Sequence, residues 1–243
     1  MARDSKWFSS SRVLNAASYL AGGVSPGEII AVFGQALGPA SGVGAMTGSP
    51  HVVDNLLAGT RIWFDSFAAP LLYVSASQIS AIVPYGVAGQ ASTQVQVEYL
   101  GVMSEPVSIP LVVSAPGLFT NDQSGAGQAA ALNHDGTRNS VSNPALRGSK
   151  VSLFVTGEGQ TAPAGADGKI AGIVLPKPKL AVTAEIGGLP ASISYAGGAT
   201  GIVAGGMQVN VEIPSGVAPG PAVPVVVRVG DATSQPGVTL AVQ

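Results

Sequence analysis

Two histidines, His51 and His134, could act in acid–base catalysis. A serine–histidine mechanism also needs a nucleophile and an orienting acid that converge on the imidazole. No serine lies in a nucleophile-elbow sequence, and His134 stands in the segment Asn133-His134-Asp135-Gly136, whose residue types are those of a turn. The sequence therefore predicts no catalytic residue, and we expect that the protein is not an enzyme.

Carboxylates could act in pairs in glycoside hydrolysis, but here they are scattered singly along the chain. They are Asp54, Asp65, Glu98, Glu105, Asp122, Asp135, Asp167, Glu185 and Glu212. Calcium is the best ionic candidate, because oxygen-rich loops between β domains can hold it. The oxygen ligands for it would be Asn121, Asp122, Asn133 and Asp135. Their spacing does not match an Asp-x-Asp-x-Asp-Gly loop, so we predict ordinary turns and no metal site, and leave calcium at the junction open.

Two glycine-rich segments, 33–38 and 156–160, follow apolar runs as a phosphate-binding loop would. No helical segment or Lys-Ser/Thr pair follows either one. They are predicted to be turns at strand ends, and no cofactor is expected.

Composition narrows the class of protein. The chain has 243 residues, of which 46% are hydrophobic, 5% aromatic and only 10% charged, with a net charge of −2 and no cysteine. Nucleic-acid binding needs clustered Lys and Arg, which are absent from this sequence. No apolar stretch reaches the roughly 20 residues that span a bilayer, so no membrane insertion is expected. The absence of cysteine excludes disulfides and thiolate metal sites.

Short apolar runs closed by Gly, Pro, Asn or Asp predict an all-β fold. In the first half they lie at Glu28–Phe33, Thr60–Phe64, Leu71–Val74, Gln78–Val83, Thr93–Tyr99 and Val107–Val113. In the second half they lie at Gln128–Asn133, Lys150–Val155, Ala181–Ile186, Ala191–Tyr195, Met207–Ile213, Val223–Val229 and Val238–Val242. Loops longer than about 15 residues are either functional or floppy. Two such loops are predicted, at Gly38–Asn55 and Thr161–Lys179.

The two halves repeat one pattern. Residues 78–84 (QISAIVP) match residues 208–214 (QVNVEIP), with Gln six residues before Pro in both. Upstream, residues 26–34 (PGEIIAVFG) correspond to residues 147–155 (RGSKVSLFV). We therefore predict two tandem immunoglobulin-like β-sandwich domains. A tail at 1–12 precedes the first sandwich at 13–115. A linker at 116–127 leads to the second sandwich at 128–243, which begins with an added hairpin.

Segments along nearly the whole chain resemble a family of uncharacterised C-terminal domains of large secreted proteins from Solibacter and related Acidobacteria. The matching segments include Asn15-Ala16-Ala17-Ser18-Tyr19, Pro26-Gly27-Glu28, Ala69-Pro70-Leu71-Leu72-Tyr73, Ala115-Pro116-Gly117-Leu118-Phe119-Thr120, Asn143-Pro144-Ala145 and Tyr195-Ala196-Gly197. The resemblance implies an exported protein with a sandwich fold, located outside the cell or at its surface, and implies no reaction. Residues 1–11 lack the apolar segment of a signal peptide, so any export signal is expected outside this sequence.

The function predicted from these features is that of a non-enzymatic extracellular structural or binding module that presents loops and sheet edges to a protein partner. One alternative is a self-assembling fibre or surface-layer subunit whose tail, with Trp7 and Phe8, is donated as a strand to a neighbouring subunit. A second alternative is a carbohydrate-binding module, which needs aromatic side chains in a row on one face. The aromatics to test for exposure are Trp63, Tyr73 and Tyr99.

Overall fold

The computed structural model describes residues 7–45 and 52–243. Within these residues the chain is all-β, with several sheets, two one-turn 3-10 helices at Ser10–Arg12 and Tyr85–Val87, and no α-helix. Each predicted strand overlaps an observed one, although the Gln128–Asn133 and Ala191–Tyr195 segments each fall on two strands. His51 and part of the predicted Gly38–Asn55 loop lie outside the described residues. No helix in the described part of the chain has the length and apolarity to cross a membrane.

The strands of the first half run from β1 to β10. They are β1 (Val13–Asn15), β2 (Ile29–Phe33), β3 (Val43–Gly44), β4 (Thr60–Phe64), β5 (Phe67–Ala68), β6 (Leu71–Val74), β7 (Gln78–Ile82), β8 (Ser92–Tyr99), β9 (Val102–Met103) and β10 (Val107–Pro110).

The strands of the second half run from β11 to β23. They are β11 (Gly117–Leu118), β12 (Gly127–Gln128), β13 (Ala131–Asn133), β14 (Lys150–Thr156), β15 (Thr161–Ala162), β16 (Lys177–Pro178), β17 (Val182–Ile186), β18 (Leu189–Ala191), β19 (Ile193–Gly197), β20 (Gly206–Glu212), β21 (Gly220–Val229), β22 (Ala232–Thr233) and β23 (Val238–Val242).

In the first half, two sheets enclose one hydrophobic core, as in a β-sandwich. One sheet has the order β1-β2-β7-β6-β3, and the other has the order β10-β8-β4-β5 with β9 on β8. Alternate residues of each strand point inward, since successive side chains of a strand face opposite ways. Ile30 and Ile79 of the first sheet and Ile62 and Val97 of the second therefore share the core.

The second half repeats this arrangement with its own core. One sheet has the order β11-β14-β20-β19 with β13 also on β14, and the other has the order β12-β23-β21-β17-β18 with β22 on β21. The core between them is built from Val, Leu, Ile and Ala with one methionine, Met207, as the 5% aromatic content requires. Val151 and Val209 contribute from the first of these sheets, and Ile186 and Val227 from the second.

The strand pairings of the two halves match as the sequence repeat does. Phe33 pairs with Gln78 in the first half, and Phe154 pairs with Gln208 in the second. The registers of β2 on β7 and of β14 on β20 are therefore the same.

The equivalence includes a strand that the repeat in the sequence had not shown. Asn15 of β1 pairs with Ile30, and Asn133 of β13 pairs with Val151, which is the repeat counterpart of Ile30. The hairpin expected as an addition to the second half therefore holds the position that β1 holds in the first half. The predicted linker at 116–127 contains β11 and the first residue of β12, and these strands pair with β14 and β23.

Candidate functional site

Buried hydrogen bonds join the two halves. The Ile29 N–H donates to Thr156 Oγ1 at 2.7 Å across 127 residues of sequence, and Thr156 Oγ1 in turn donates to the carbonyl of Gly205 at 2.8 Å. Ser114 Oγ donates to the Val229 carbonyl at 2.8 Å. Because the groups of the Ile29–Thr156 and Ser114–Val229 bonds are buried, rotating one half on the other would leave them unpaired inside the contact, at a cost of roughly 1–3 kcal/mol each.

Glu28 is a buried carboxylate at this junction, with 1% of its surface exposed. Its Oε1 accepts from Asn15 Nδ2 at 2.9 Å, and its Oε2 accepts from the Ser25 N–H at 2.7 Å. Asn15 Nδ2 also donates to the carbonyl of Ala115, in the segment that connects the halves. Burial raises the pKa of Glu28 to about 8, although its hydrogen bonds with Ser25 and Asn15 oppose this rise.

Tyr85 inserts from the first half into the second. It follows Pro84 at the start of the second 3-10 helix, and its ring is 8% exposed. A Cβ on Gly27 or on Gly165 would lie within 2.6 Å of ring atoms, so the ring needs a glycine from each half beside it. The Tyr85 N–H donates to Asp167 Oδ1 at 2.9 Å, and Gln160 Nε2 donates to the Tyr85 carbonyl at 3.0 Å.

Glu158 is the second buried carboxylate, and it faces the Tyr85 hydroxyl. That hydroxyl donates to Glu158 Oε1 at 3.4 Å, whereas Oε2 has no hydrogen-bond partner among residues 7–45 and 52–243. Burial raises the pKa of Glu158 to about 7. Burial also raises the pKa of Tyr85, and the charges of Glu158 and Asp167 raise it further.

Glu158 and Tyr85 line a cavity of about 70 Å³. The other walls come from the loop between β15 and β16 and from the segment that leads into β20. They are Pro163, Ala164, Ala166, Lys169, Ala171, Val174, Pro176, Gly198, Ile202, Val203, Ala204 and Gly206. The cavity is thus mainly apolar, with one carboxylate, one phenol and one lysine.

The loop between β15 and β16 lies within the predicted Thr161–Lys179 loop and also contacts the first half. The Val53 N–H donates to the Gly168 carbonyl at 2.8 Å, and residues 52 and 169 form a β-bridge. At its far side Ile173 is fully exposed and Val174 is 59% exposed. One loop therefore closes the cavity, joins the halves and presents apolar side chains.

His134 and the aspartates considered for calcium do not line this cavity, whereas Asp167, one of the scattered carboxylates, lies beside it on the Tyr85 N–H. His134 is exposed in the turn after β13. Asp122 accepts from Ser124, and Asp135 accepts from Thr137, each within its own turn, and these hydrogen bonds lower the pKa of both aspartates. In the described ranges no three His, Cys, Asp or Glu side chains converge.

The tail residues selected for self-assembly pack on their own chain in this structure. Phe8 is 4% exposed in the first core, and Trp7 is half-buried against it. The Gln35 N–H donates to the Trp7 carbonyl at 2.9 Å. Donation of this tail to a neighbouring subunit stays a prediction.

The three aromatics selected for exposure are all half-buried and do not form a row. Tyr73 lies in the sheet of β6, whereas Trp63 and Tyr99 lie in the opposite sheet. Trp63 pairs with Gln96, and Tyr99 is three residues further along β8, so pleating turns it to the other face. The Trp63 Nε1–H donates to Glu98 Oε2 at 3.1 Å. The carbohydrate alternative gains no support from this arrangement.

Sequence reasoning missed Tyr85, Glu158 and Glu28. One signal was present for Tyr85, because the repeat places Ser215 at its counterpart, and a large aromatic in a turn is unusual where the other copy has serine. Glu158 lies in the glycine-rich segment 156–160 that was interpreted as a strand-end turn. In the structure Gly157 of this turn packs on the connecting segment, since a Cβ there would lie 1.8 Å from the Ala115 carbonyl oxygen.

Comparisons with known proteins add little. No protein-family description and no curated protein matches the chain. Two structures of the plexin A4 full extracellular region are similar at 11% and 12% identity, with TM-scores of 0.29 and 0.28. They cover 94% and 95% of this chain, which spans only 17% and 15% of theirs. A likeness at this level supports no statement about what this chain binds.

Proposed function

We propose that the chain is a non-enzymatic extracellular structural or binding module, in which two tandem immunoglobulin-like sandwiches are held in one fixed orientation and present loops and sheet edges to a protein partner. The observation that carries this proposal is the buried polar junction. Thr156 and Tyr85 each make hydrogen bonds to the other half that exist only when the halves are docked in one way. A module that must present surfaces at a defined spacing needs such a joint.

The presented surfaces are the exposed apolar ends of hairpins and loops. The hairpin between β8 and β9 exposes Leu100 by 72% and Val102 by 58%, and the β15–β16 loop exposes Ile173 fully. Contiguous exposed apolar groups on an otherwise soluble domain mark interaction sites more often than scattered single ones. These two tips are therefore where we expect a protein partner to bind.

The fixed orientation can be tested with spin labels, because the chain has no cysteine of its own. The double variant Ser66→Cys/Ser142→Cys places one label on an exposed turn of each half. We expect a single narrow distance distribution, and we expect Thr156→Val to broaden it. A broad distribution in the labelled double variant itself would overturn the proposal of a fixed joint.

The extracellular location needs a separate test. Antibody labelling of intact producing cells should reach the protein as well as it does after permeabilisation. Labelling that requires permeabilisation would contradict the proposed location.

The fibre alternative is favoured by one observation. Phe8 and Val13, both buried in the first core, are carried by the most N-terminal described segment, and β1 pairs with β2 at the edge of its sheet. Such a segment can fill the same place in a neighbour without new contacts. Electron micrographs of purified protein should show regular polymers if it does.

A disulfide distinguishes donation from other modes of assembly. Val13 pairs directly with Val32, so Val13→Cys/Val32→Cys can lock β1 onto its own sheet. Polymers that disappear on oxidation and return on reduction support strand donation. Strict monomers of the parent protein at high concentration contradict the fibre alternative.

A further inference from the structure

Glu158 Oε2 is the one buried side-chain oxygen or nitrogen without a partner in the described ranges. Its residue is 3% exposed, and the other carboxylate oxygen already accepts from Tyr85. Native proteins pair nearly all buried polar atoms, because an unpaired acceptor keeps its full desolvation cost. This oxygen therefore calls for a donor that the chain itself does not supply.

The cavity beside this oxygen has room for such a donor. A water needs about 10–15 Å³ of this kind of volume, whereas the cavity has about 70 Å³. Val174, Ile202, Val203 and Ala171 give it apolar walls. A ligand that fits must therefore combine an N–H or O–H donor with a short apolar body.

We propose that this cavity binds a primary alkylammonium group, whose N–H donates to Glu158 Oε2 while its short alkyl chain packs against the apolar walls. Charge complementarity selects an ammonium over a neutral donor, because a charge-assisted hydrogen bond is about twice as strong as a neutral one. This inference goes beyond the function proposed above and does not depend on it.

Metal ions do not fit this site. Calcium takes six to eight oxygen ligands, and magnesium takes six. The cavity offers one carboxylate and one phenol, and no group of three acidic, His or Cys side chains occurs in the described part of the chain.

Lys169 is the chain's own ammonium group at this cavity, and it competes with an external ammonium for Glu158. It lines the same cavity, yet the ion pairs within 4 Å among the described residues are Arg61–Glu98 and Arg228–Glu185. If an external ammonium occupies the site, Lys169→Met should leave its affinity unchanged or raise it. A loss of affinity in Lys169→Met would contradict the proposed pose.

The test is an NMR titration of the full chain with n-butylammonium at constant ionic strength, followed through the amide signals of Gly206 and Glu158. We expect saturable shifts, with weaker binding of 1-butanol and of tetramethylammonium, which lacks N–H. Glu158→Gln should weaken butylammonium binding by about 10- to 100-fold, as the loss of one charged hydrogen bond predicts. The matched control is Glu105→Gln, at an exposed position of the first half, which should bind as the parent does.

A second variant keeps the test decisive if Glu158→Gln fails to fold. Ala171→Leu fills the cavity and leaves the carboxylate in place, so it should abolish butylammonium binding. Equal binding of butanol and butylammonium, or unchanged binding in both variants, would overturn the proposal, as would the absence of any saturable shift.

Two further arms identify the source of the ammonium and the role of its charge. An acetylated, amidated Gly-Lys-Gly peptide that binds more tightly than butylammonium assigns the site to a lysine side chain of a partner, and the reverse order assigns it to a free amine.

Butylammonium affinity should also rise between pH 6 and pH 8 as Glu158 ionises. The other titratable groups at this site are Tyr85, Asp167, Lys169 and Tyr195, and pH-independent binding would contradict the role of the carboxylate.

Discussion

Replacing Glu28 by Gln should change how the stability of the protein depends on pH. The pKa of Glu28 is about 8 in the folded chain, against 4.5 for an ordinary glutamate. Between these two values the folded state holds a proton that the unfolded state has released. Raising the pH through this window therefore favours the unfolded state, and the contribution of Glu28 to stability is fully present only below about pH 4.5.

The size of the effect follows from the width of the window. Each unit by which the pH rises inside this window lowers the unfolding free energy by up to about 1.4 kcal/mol per proton. The window spans 8 − 4.5 = 3.5 units. We expect the parent to lose about 2–5 kcal/mol of unfolding free energy through Glu28 between pH 5 and pH 9. Gln cannot ionise, but it has one oxygen for two donors, Asn15 Nδ2 and the Ser25 N–H, so the variant should lose about 1–2 kcal/mol at pH 5.

The predicted result is a reversal of sign. The Glu28→Gln variant should be less stable than the parent at pH 5 and equally or more stable at pH 9. Urea unfolding at five pH values, followed by the fluorescence of Trp7 and Trp63, which both belong to the first half, measures both curves. Glu158 also has a raised pKa, but it is common to both proteins and cancels in the difference. A difference between parent and variant that stays constant from pH 5 to pH 9 would refute the reasoning, and Glu105→Gln should show such a constant difference.

Two further predictions concern the junction. Gly157→Ala should destabilise the protein by several kcal/mol, because the new Cβ would lie 1.8 Å from the Ala115 carbonyl oxygen. The control Gly136→Ala has a similar φ of 80° but lies in open space, so it should cost only about 1 kcal/mol. Thermal or urea unfolding measures both. Thr156→Val should cost about 2–4 kcal/mol, because it leaves the Ile29 N–H buried without an acceptor, and an effect below 0.5 kcal/mol would show that this hydrogen bond does not hold the halves together.

The strands and cores could be predicted from the sequence because they depend on local patterns. Alternation in segments such as 94–99 and 208–212 determines which face of a strand is buried, and these segments lie in β8 and β20. β1 was missed because three residues, Val13–Asn15, carry too little pattern to register as a strand. Only the pairing of Val13–Asn15 with β2 in the structure identifies this segment as a strand.

The junction and cavity could not be predicted because their contacts join residues far apart in sequence. Thr156 meets Ile29, and Tyr85 meets Glu158, at separations of 127 and 73 residues. Threonine at a strand end and glutamate in a glycine-rich turn each have an ordinary local explanation. Only the docking of the two halves gives these residues a shared environment, and no periodic pattern in one chain encodes that docking.

The repeat nevertheless explains which residues form the junction. The strand register makes Ser149 the counterpart of Glu28, and the aligned Pro84 and Pro214 make Ser215 the counterpart of Tyr85. Asn15 and Asn133 are the same residue in both copies, and the side-chain oxygen of each accepts a hydrogen bond near its own strand end, from Ala17 and from Asn139. Of the two differing positions, Tyr85 bonds directly to the second half, through Asp167 and Glu158. Two similar halves can dock in only one way when the buried polar groups at their contact are not interchangeable.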